Sequence, residues 1–222
     1  RRQRDLKTKR NLMSGIRLIP FVLSFLFLFP ASLQANDTSP KTQTKVMRPG
    51  QLDFDQGRFL KALNIWLPQA EAGDPAVQVL VGEMYRRGLG VTKDLVRAYN
   101  WHKKSADQGH VDGLYHMAQY HLHGQGGVAR DPAHAISIYR KASELGHWRA
   151  QYVISHAFLS GENAEQDYVK ALKWLEISIL SSDGEFSTRK TYYRRRALAK
   201  LMTESEIELG KKLAADWLAA HR

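Results

Sequence analysis

Histidine is the residue type in this chain with the widest range of chemistry, since a neutral imidazole binds transition metals and titrates near neutral pH. Nine histidines occur among the 222 residues. The candidates for metal ligands are His110, His116, His121, His123, His147 and His156. On one helix His116 and His123 lie two turns apart, and His121 points away from His123. Because no acidic residue follows at ligand spacing, we predict that these histidines pack or face solvent, and we expect neither a metal nor another cofactor. A metal-binding or pH-sensing role is the alternative.

A basic run with interleaved tyrosines is the second feature. Its charged members are Arg189, Lys190, Arg194, Arg195 and Arg196. The run could bind an anionic polysaccharide, lipid head groups or an acidic protein, or it could be a solvated helix face. The chain has a net charge of +11, but residues 1–35 hold seven basic residues and one acidic residue, so residues 36–222 carry only +5. We therefore expect no nucleic-acid partner.

Motifs of catalysis are missing from the sequence. It has no phosphate loop, no nucleophile elbow and no paired-histidine zinc helix. The glycine-rich stretch 124–127 follows a predicted helix and not a strand, so it does not predict a dinucleotide site. Cysteine is absent, which excludes disulfides, thiolate metal sites and cysteine nucleophiles. The sequence predicts a protein that is not an enzyme.

The amino-terminal region is typical of a secretory leader. An apolar stretch from Ile16 to Phe29 follows a short positive segment that starts at Met13, and a small residue stands at Ala35. We interpret residues 1–12 as an upstream extension, 13–35 as a signal peptide cleaved near Ala35, and 36–50 as a flexible linker. This predicts a periplasmic or secreted protein without an integral membrane anchor after cleavage. An uncleaved single-span anchor is the alternative.

The body of the chain repeats itself every 36 or 37 residues. Glycines mark the repeat at positions 73, 109 and 146. Each is followed by a helical pattern, a glycine-containing loop, an aspartate and a second helical pattern, with the aspartates at 94, 131 and 167. An alanine follows each aspartate by four residues and a large apolar residue follows it by seven. We predict that the aspartates cap second helices and that Gly88, Gly124 and Gly161 end first helices.

These residues resemble a known family. The stretch 82–94, followed by Ala98, Trp101, Ala106 and Gly109, is similar to the Sel1-like repeat, a relative of the tetratricopeptide repeat. The resemblance implies an all-α fold, a right-handed superhelical solenoid of antiparallel helix pairs. We place an N-terminal helical half-repeat at 51–72, repeats at 73–108, 109–145 and 146–182, and capping helices at 183–222.

Stacked helix pairs form a curved surface lined by their first helices. The residues predicted to face this groove are Glu83, Tyr115, Gln119, Tyr152 and His156. We predict an exported adaptor or scaffold that binds a protein or peptide partner in the cell envelope, and the resemblance implies roles such as regulating envelope signalling or exopolysaccharide production. The alternatives are an envelope hydrolase acting on cell-wall or beta-lactam substrates, and a protein that binds anionic polysaccharide through the basic run.

Overall fold

The computed structural model describes residues 47–182 and 189–221, and the regular elements within those residues are all α-helices. The helices are α1 (Gln51–Asp55), α2 (Phe59–Glu71), α3 (Pro75–Arg87), α4 (Leu95–Asp107), α5 (Val111–His123), α6 (Pro132–Glu144), α7 (Trp148–Ser160), α8 (Tyr168–Ser181), α9 (Arg189–Ala199) and α10 (Glu204–Ala220). The prediction of an all-α fold is confirmed. The predicted upstream extension, the signal peptide and most of the linker lie outside the described residues.

Helices pack as consecutive antiparallel pairs: α3 on α4, α5 on α6 and α7 on α8. Each pair also packs on the next one, through α4 on α5 and α6 on α7. The predicted solenoid of helix pairs is therefore confirmed. Before the first pair, α1 and α2 occupy the range of the predicted half-repeat, and α2 packs on α3. The end of the predicted linker also contacts this unit, because the indole of Trp66 donates to the Pro49 carbonyl at 2.7 Å.

The helix ends form through local capping. Asp94 accepts hydrogen bonds from the backbone N–H groups of Val96 and Arg97 at 3.0 and 2.9 Å. Asp131 and Asp167 cap α6 and α8, and each accepts one backbone N–H, that of His134 at 2.9 Å and that of Lys170 at 2.8 Å. A carboxylate at this position satisfies otherwise unpaired N–H groups and complements the helix dipole. The predicted cap positions are thus confirmed.

The repeats are also held by hydrogen bonds that recur with the repeat. The hydroxyl of Ser105 donates to the Pro75 carbonyl at 2.8 Å, and that of Ser178 donates to the Trp148 carbonyl at 3.0 Å. In both repeats the two residues are 30 positions apart. Each bond ties a second helix to the start of the first helix of the same pair, because it gives the buried serine hydroxyl an acceptor on the neighbouring helix.

The C-terminal end is closed by α9 and α10, which both pack on α8. The rings of Trp174 and Trp217 meet edge to face with centroids 5.8 Å apart. Helix α10 begins with a capping box in which the Thr203 hydroxyl and the Glu206 carboxylate each accept a backbone N–H from the other residue. Within the described residues, no helix has both the length and the apolar character needed to cross a membrane.

Candidate functional site

The first helices of the three repeats border a groove of about 490 Å³. Its lining includes Glu83, Arg86, Tyr115, His116, Gln119 and Arg149, which come from α3, α5 and α7. The opposite stripe of each helix is packed: in α3, Val77 and Val81 are fully buried. When one stripe of a helix is buried, the residues outside that stripe lie on the opposite face. Helix periodicity therefore places the polar and aromatic side chains in this groove.

Tyr115 lies at the centre of a network across the groove floor. The Gln119 amide donates to the Tyr115 hydroxyl at 3.2 Å, and the Tyr115 ring stacks on His147 with centroids 4.3 Å apart. Desolvation raises the pKa of Tyr115, although the charges of Arg149 and Arg86 oppose this effect. The phenol is therefore protonated at neutral pH, and its O–H is available as a donor.

His147 joins two helices through both ring nitrogens. Its Nδ1 accepts the backbone N–H of Ala150 at 3.1 Å, and its Nε2 lies 3.3 Å from a carboxylate oxygen of Asp112. Because Nδ1 is an acceptor, the proton of the neutral ring is on Nε2 and is donated to Asp112. This hydrogen bond is the main cause that lowers the pKa of the Asp112 carboxyl. The start of α7 is therefore held against α5 beside Tyr115.

Glu83 is engaged by a neighbouring arginine. Arg86 donates from Nε and Nη2 to the two Glu83 carboxylate oxygens at 2.7 and 2.6 Å. This bidentate hydrogen bond raises the pKa of the Arg86 guanidinium. Glu83 also lies beside His102 of α4 and His116 of α5, and one potential ligand atom from each of the three residues lies within 4.8 Å of the others. The Glu83 carboxylate and the His116 imidazole of the groove thus form one cluster with the buried imidazole of His102.

The predicted groove residues divide between two depressions. Glu83, Tyr115 and Gln119 share the 490 Å³ groove, whereas Tyr152 and His156 line a separate pocket of about 290 Å³. That second pocket has apolar walls that include Leu122 and Val153.

Members of the basic run have different surroundings. Arg194 lies 4.5 Å above the Tyr152 ring and lines the second pocket, which joins the basic run to the predicted groove residues. Arg195 forms an ion pair with Glu176 at 2.6 Å, and Arg196 is exposed. Arg189 and Lys190 lie at the start of α9. The described arginines are therefore divided among a ring contact, an ion pair and solvent.

Three consecutive stretches of the chain match one family of repeats. The family profile of the Sel1 repeat matches residues 75–110, 111–147 and 148–183. The chain is a Sel1-repeat protein. Each matched Sel1 repeat begins two residues after the start predicted from the glycine spacing.

Curated relatives share part of their length with this chain. It is 29% identical over 135 residues to an exopolysaccharide production negative regulator of Rhizobium leguminosarum, covering 55% of this chain and 51% of that protein. It is 28% identical over 111 residues to a Sel1-repeat-containing protein of Escherichia coli, covering 50% and 46% of the two chains. The chain thus spans about half the length of these relatives.

A solved structure shares the fold. The crystal structure of a Sel1 repeat protein from Oxalobacter formigenes superposes with a TM-score of 0.59 at 24% sequence identity. The superposition covers 66% of this chain and 58% of that one. Sel1 repeats build scaffold proteins, and this fold does not by itself specify a reaction.

The buried serines of the Sel1 repeats are engaged in structural hydrogen bonds. Ser105, Ser155 and Ser178 each donate to a backbone carbonyl, at 2.8, 2.7 and 3.0 Å. A hydroxyl that donates its proton to a backbone carbonyl is not hydrogen-bonded to a base, so these three serines lack the setting of an activated nucleophile.

Sequence reasoning missed several residues of the groove. Arg86, His102 and Asp112 were not among the predicted site residues, and His147 was considered only as one histidine among several. His102 is fully buried on the second helix α4 and forms one cluster with Glu83 of α3 and His116 of α5. The spacing of residues along one helix carries no signal for such a contact, because the three members of the cluster lie on three helices.

Proposed function

We propose that this Sel1-repeat protein is an adaptor that binds an extended segment of a partner protein along α3, α5 and α7. The observation that carries the proposal is the row of aromatic and polar groups that three successive first helices contribute to one surface. Tyrosine and histidine rings offer contact area, and amide and guanidinium groups offer hydrogen bonds to a peptide backbone. A repeat array is suited to this task because it extends one surface over several helix pairs.

The two depressions indicate what the bound segment contains. The groove around Tyr115 has cationic and anionic groups close together, which suits a polar stretch with exposed backbone amides. The pocket beside Tyr152 is mainly apolar, which suits one apolar side chain. Arg149 of the groove and Tyr152 of the pocket are three residues apart on α7, about 4.5 Å along the helix axis. One extended peptide can therefore reach both.

Site-specific photo-cross-linking in cells tests the surface. A photoreactive residue replaces Gln119 in the groove, and a matched control carries it at Lys141, an exposed position of the second helix α6. We expect one discrete protein to be captured at position 119 and to be absent at position 141. A third probe replaces Arg196 of the basic run. Capture only at position 141, or only at position 196, contradicts the groove proposal.

Binding of the captured protein then tests the chemistry. Arg149→Ala removes a guanidinium from the groove, while Arg140→Ala removes an exposed one from α6 as a control. We expect calorimetry to show weaker binding for the groove variant and unchanged binding for the control. Equal affinities for both variants would exclude Arg149 from the interface.

We further propose that the adaptor acts in the cell envelope and has a regulatory role. The location is supported by the leader pattern at residues 13–35. The role is supported by the relative that is named a negative regulator of exopolysaccharide production. Fractionation followed by amino-terminal sequencing is the test, and we expect an envelope protein that begins just after Ala35. A chain in the cytoplasm that retains residues 13–35 would refute the location.

A further inference from the structure

The geometry points to a binding site for a divalent transition metal, with Zn²⁺ the best match, formed by Glu83, His102 and His116. One potential ligand atom from each residue lies within 4.8 Å of the others. Two imidazoles and a carboxylate are a ligand set that Zn²⁺ accepts, with a fourth position left for water or another group. The site goes beyond the adaptor proposal, and it can be measured without any partner protein.

The hydrogen bonds around the two imidazoles are those of metal ligands. Nδ1 of His102 lies 3.2 Å from the Tyr120 hydroxyl, and Nδ1 of His116 lies 3.2 Å from the Gln119 side-chain oxygen. When a histidine binds a metal through one nitrogen, its other N–H usually donates to such a group, which holds the tautomer. Here both Nδ1 atoms are engaged, which leaves both Nε2 atoms as the ligand atoms.

The Nε2 atom of His102 is buried beside Glu83 and His116. The side chain is fully buried, and Nε2 has no well-formed hydrogen bond among the described residues, although the backbone of Val79 is near enough to the ring to favour its protonated form. A buried nitrogen without a partner costs about 1–3 kcal/mol, so such atoms call for an ion or a water. Coordination of a metal by Nε2 would satisfy it.

The fold keeps His102 in place between two flat surfaces. The His116 ring stacks on one face with centroids 4.4 Å apart and planes 18° apart. A Cβ added to Gly82 would lie 2.6, 2.7 and 3.0 Å from Nε2, Cδ2 and Cε1 of His102. These similar distances place the Gly82 backbone against the other ring face, and not in the direction of the Nε2 lone pair. The edge of the ring that bears Nε2 is therefore not covered by Gly82.

Both imidazoles have the protonation state that a metal needs. Burial is the main cause that lowers the pKa of His102 to about 2, and burial also lowers the pKa of His116. Both rings are therefore neutral at pH 7, and a metal does not have to displace a proton from them.

Binding requires two movements on the groove side. Bonds of about 2.0–2.1 Å in a tetrahedral site place ligand atoms roughly 3.3 Å apart, whereas the ligand atoms of the cluster span up to 4.8 Å. The His116 ring must turn from its stack on His102, and Glu83 must exchange Arg86 for the metal. Both ligands line the groove and are only partly buried, so the rearrangement leaves the core unchanged. A bound metal would release Arg86 into the groove.

The test uses the full chain with a tag that lacks histidine, stripped of metal with a chelator. Zn²⁺ is titrated by calorimetry, and Co²⁺ is added separately to record the absorption of a tetrahedral site. We expect one equivalent to bind, with Glu83→Gln and His116→Ala each weakening the affinity by about tenfold or more. Tyr120→Phe, which removes the partner of His102, should weaken it by about tenfold to hundredfold.

The matched control is His134→Ala. His134 and His121 form another close pair of histidines, with ring centroids 4.7 Å apart, but His134 is exposed and the pair is not part of the cluster. Its removal should leave the affinity unchanged. Circular dichroism of each variant verifies the fold. The proposal is overturned if no saturable binding of one equivalent occurs, or if His134→Ala weakens binding as much as His116→Ala.

Discussion

The burial of His102 makes the stability of this protein depend on pH. In the folded chain, desolvation is the main cause that lowers the pKa of His102 from 6.5 to about 2, and the nearby His116 acts in the same direction. In the unfolded chain the imidazole is hydrated and titrates near 6.5. As the pH falls below 6.5, the His102 imidazole becomes protonated in the unfolded state but stays neutral in the folded state. Stability from this residue is therefore complete above pH 7 and is lost progressively on acidification.

The magnitude follows from proton linkage. Each pH unit below the unfolded pKa costs about 1.4 kcal/mol as long as the folded ring stays neutral. Between pH 7 and pH 5 the free energy of unfolding should fall by about 2 kcal/mol because of His102 alone. In a chain of this size that corresponds to a decrease in melting temperature of roughly 4–8 °C.

Urea unfolding of the chelator-treated protein at several pH values between 5 and 8 measures this effect. The comparison is with His102→Gln, which removes the titrating group while keeping a side chain that can hydrogen-bond Tyr120. The substitution also changes contacts in the core, so the quantity compared is the change in the free energy of unfolding with pH and not its value at pH 7. We expect the wild type to lose about 2 kcal/mol more than the variant between pH 7 and pH 5. Parallel curves would refute the claim that the folded protein keeps this ring neutral.

Three further substitutions test the repeat architecture. Gly88 has a φ of 73° at the end of α3, so Gly88→Val should lower the free energy of unfolding by about 1–2 kcal/mol, and an unchanged melting temperature would mean that the loop is built differently. Asp94→Ala removes the cap of α4 and should lower the free energy of unfolding, measured with urea, by about 1 kcal/mol. Asp107→Ala breaks only an exposed ion pair and should lower it by less. Arg195→Gln leaves the largely buried Glu176 without its ion pair, so limited proteolysis should cleave near α9 faster than in the wild type. Burial raises the pKa of the Glu176 carboxyl, and the loss of Arg195 removes an opposing charge, so the ratio of variant to wild-type cleavage should increase with pH; an equal ratio at pH 5 and pH 8 would contradict this.

The fold was predictable because the signals that specify it are local. A capping aspartate acts on N–H groups two or three residues ahead, as Asp94 does on Val96 and Arg97. A left-handed glycine such as Gly88 ends the helix just before it. Interactions this short do not depend on the rest of the chain, so their recurrence in sequence was enough to predict helix pairs, and the resemblance to the Sel1-like repeat implied their stacking.

The candidate site was predictable only in part. Helix periodicity gave the face on which Glu83, Tyr115 and Gln119 lie, since residues three or four positions apart share one side of a helix. It did not separate them from Tyr152 and His156, which line a different pocket. The division depends on how α5, α7 and α9 pack, which sequence spacing does not encode.

The sequence by itself determined the elements, their ends, their repeat and the faces that they bury, because each of these depends on neighbours along the chain. Only the tertiary structure decided which side chains meet across helices. Crossing distances and angles brought His102 of α4 against His116 of α5, Arg194 of α9 over Tyr152 of α7, and Arg195 onto Glu176. Such contacts join residues as close as 14 and as distant as 42 positions apart, and they arise from packing that the whole core must satisfy at once.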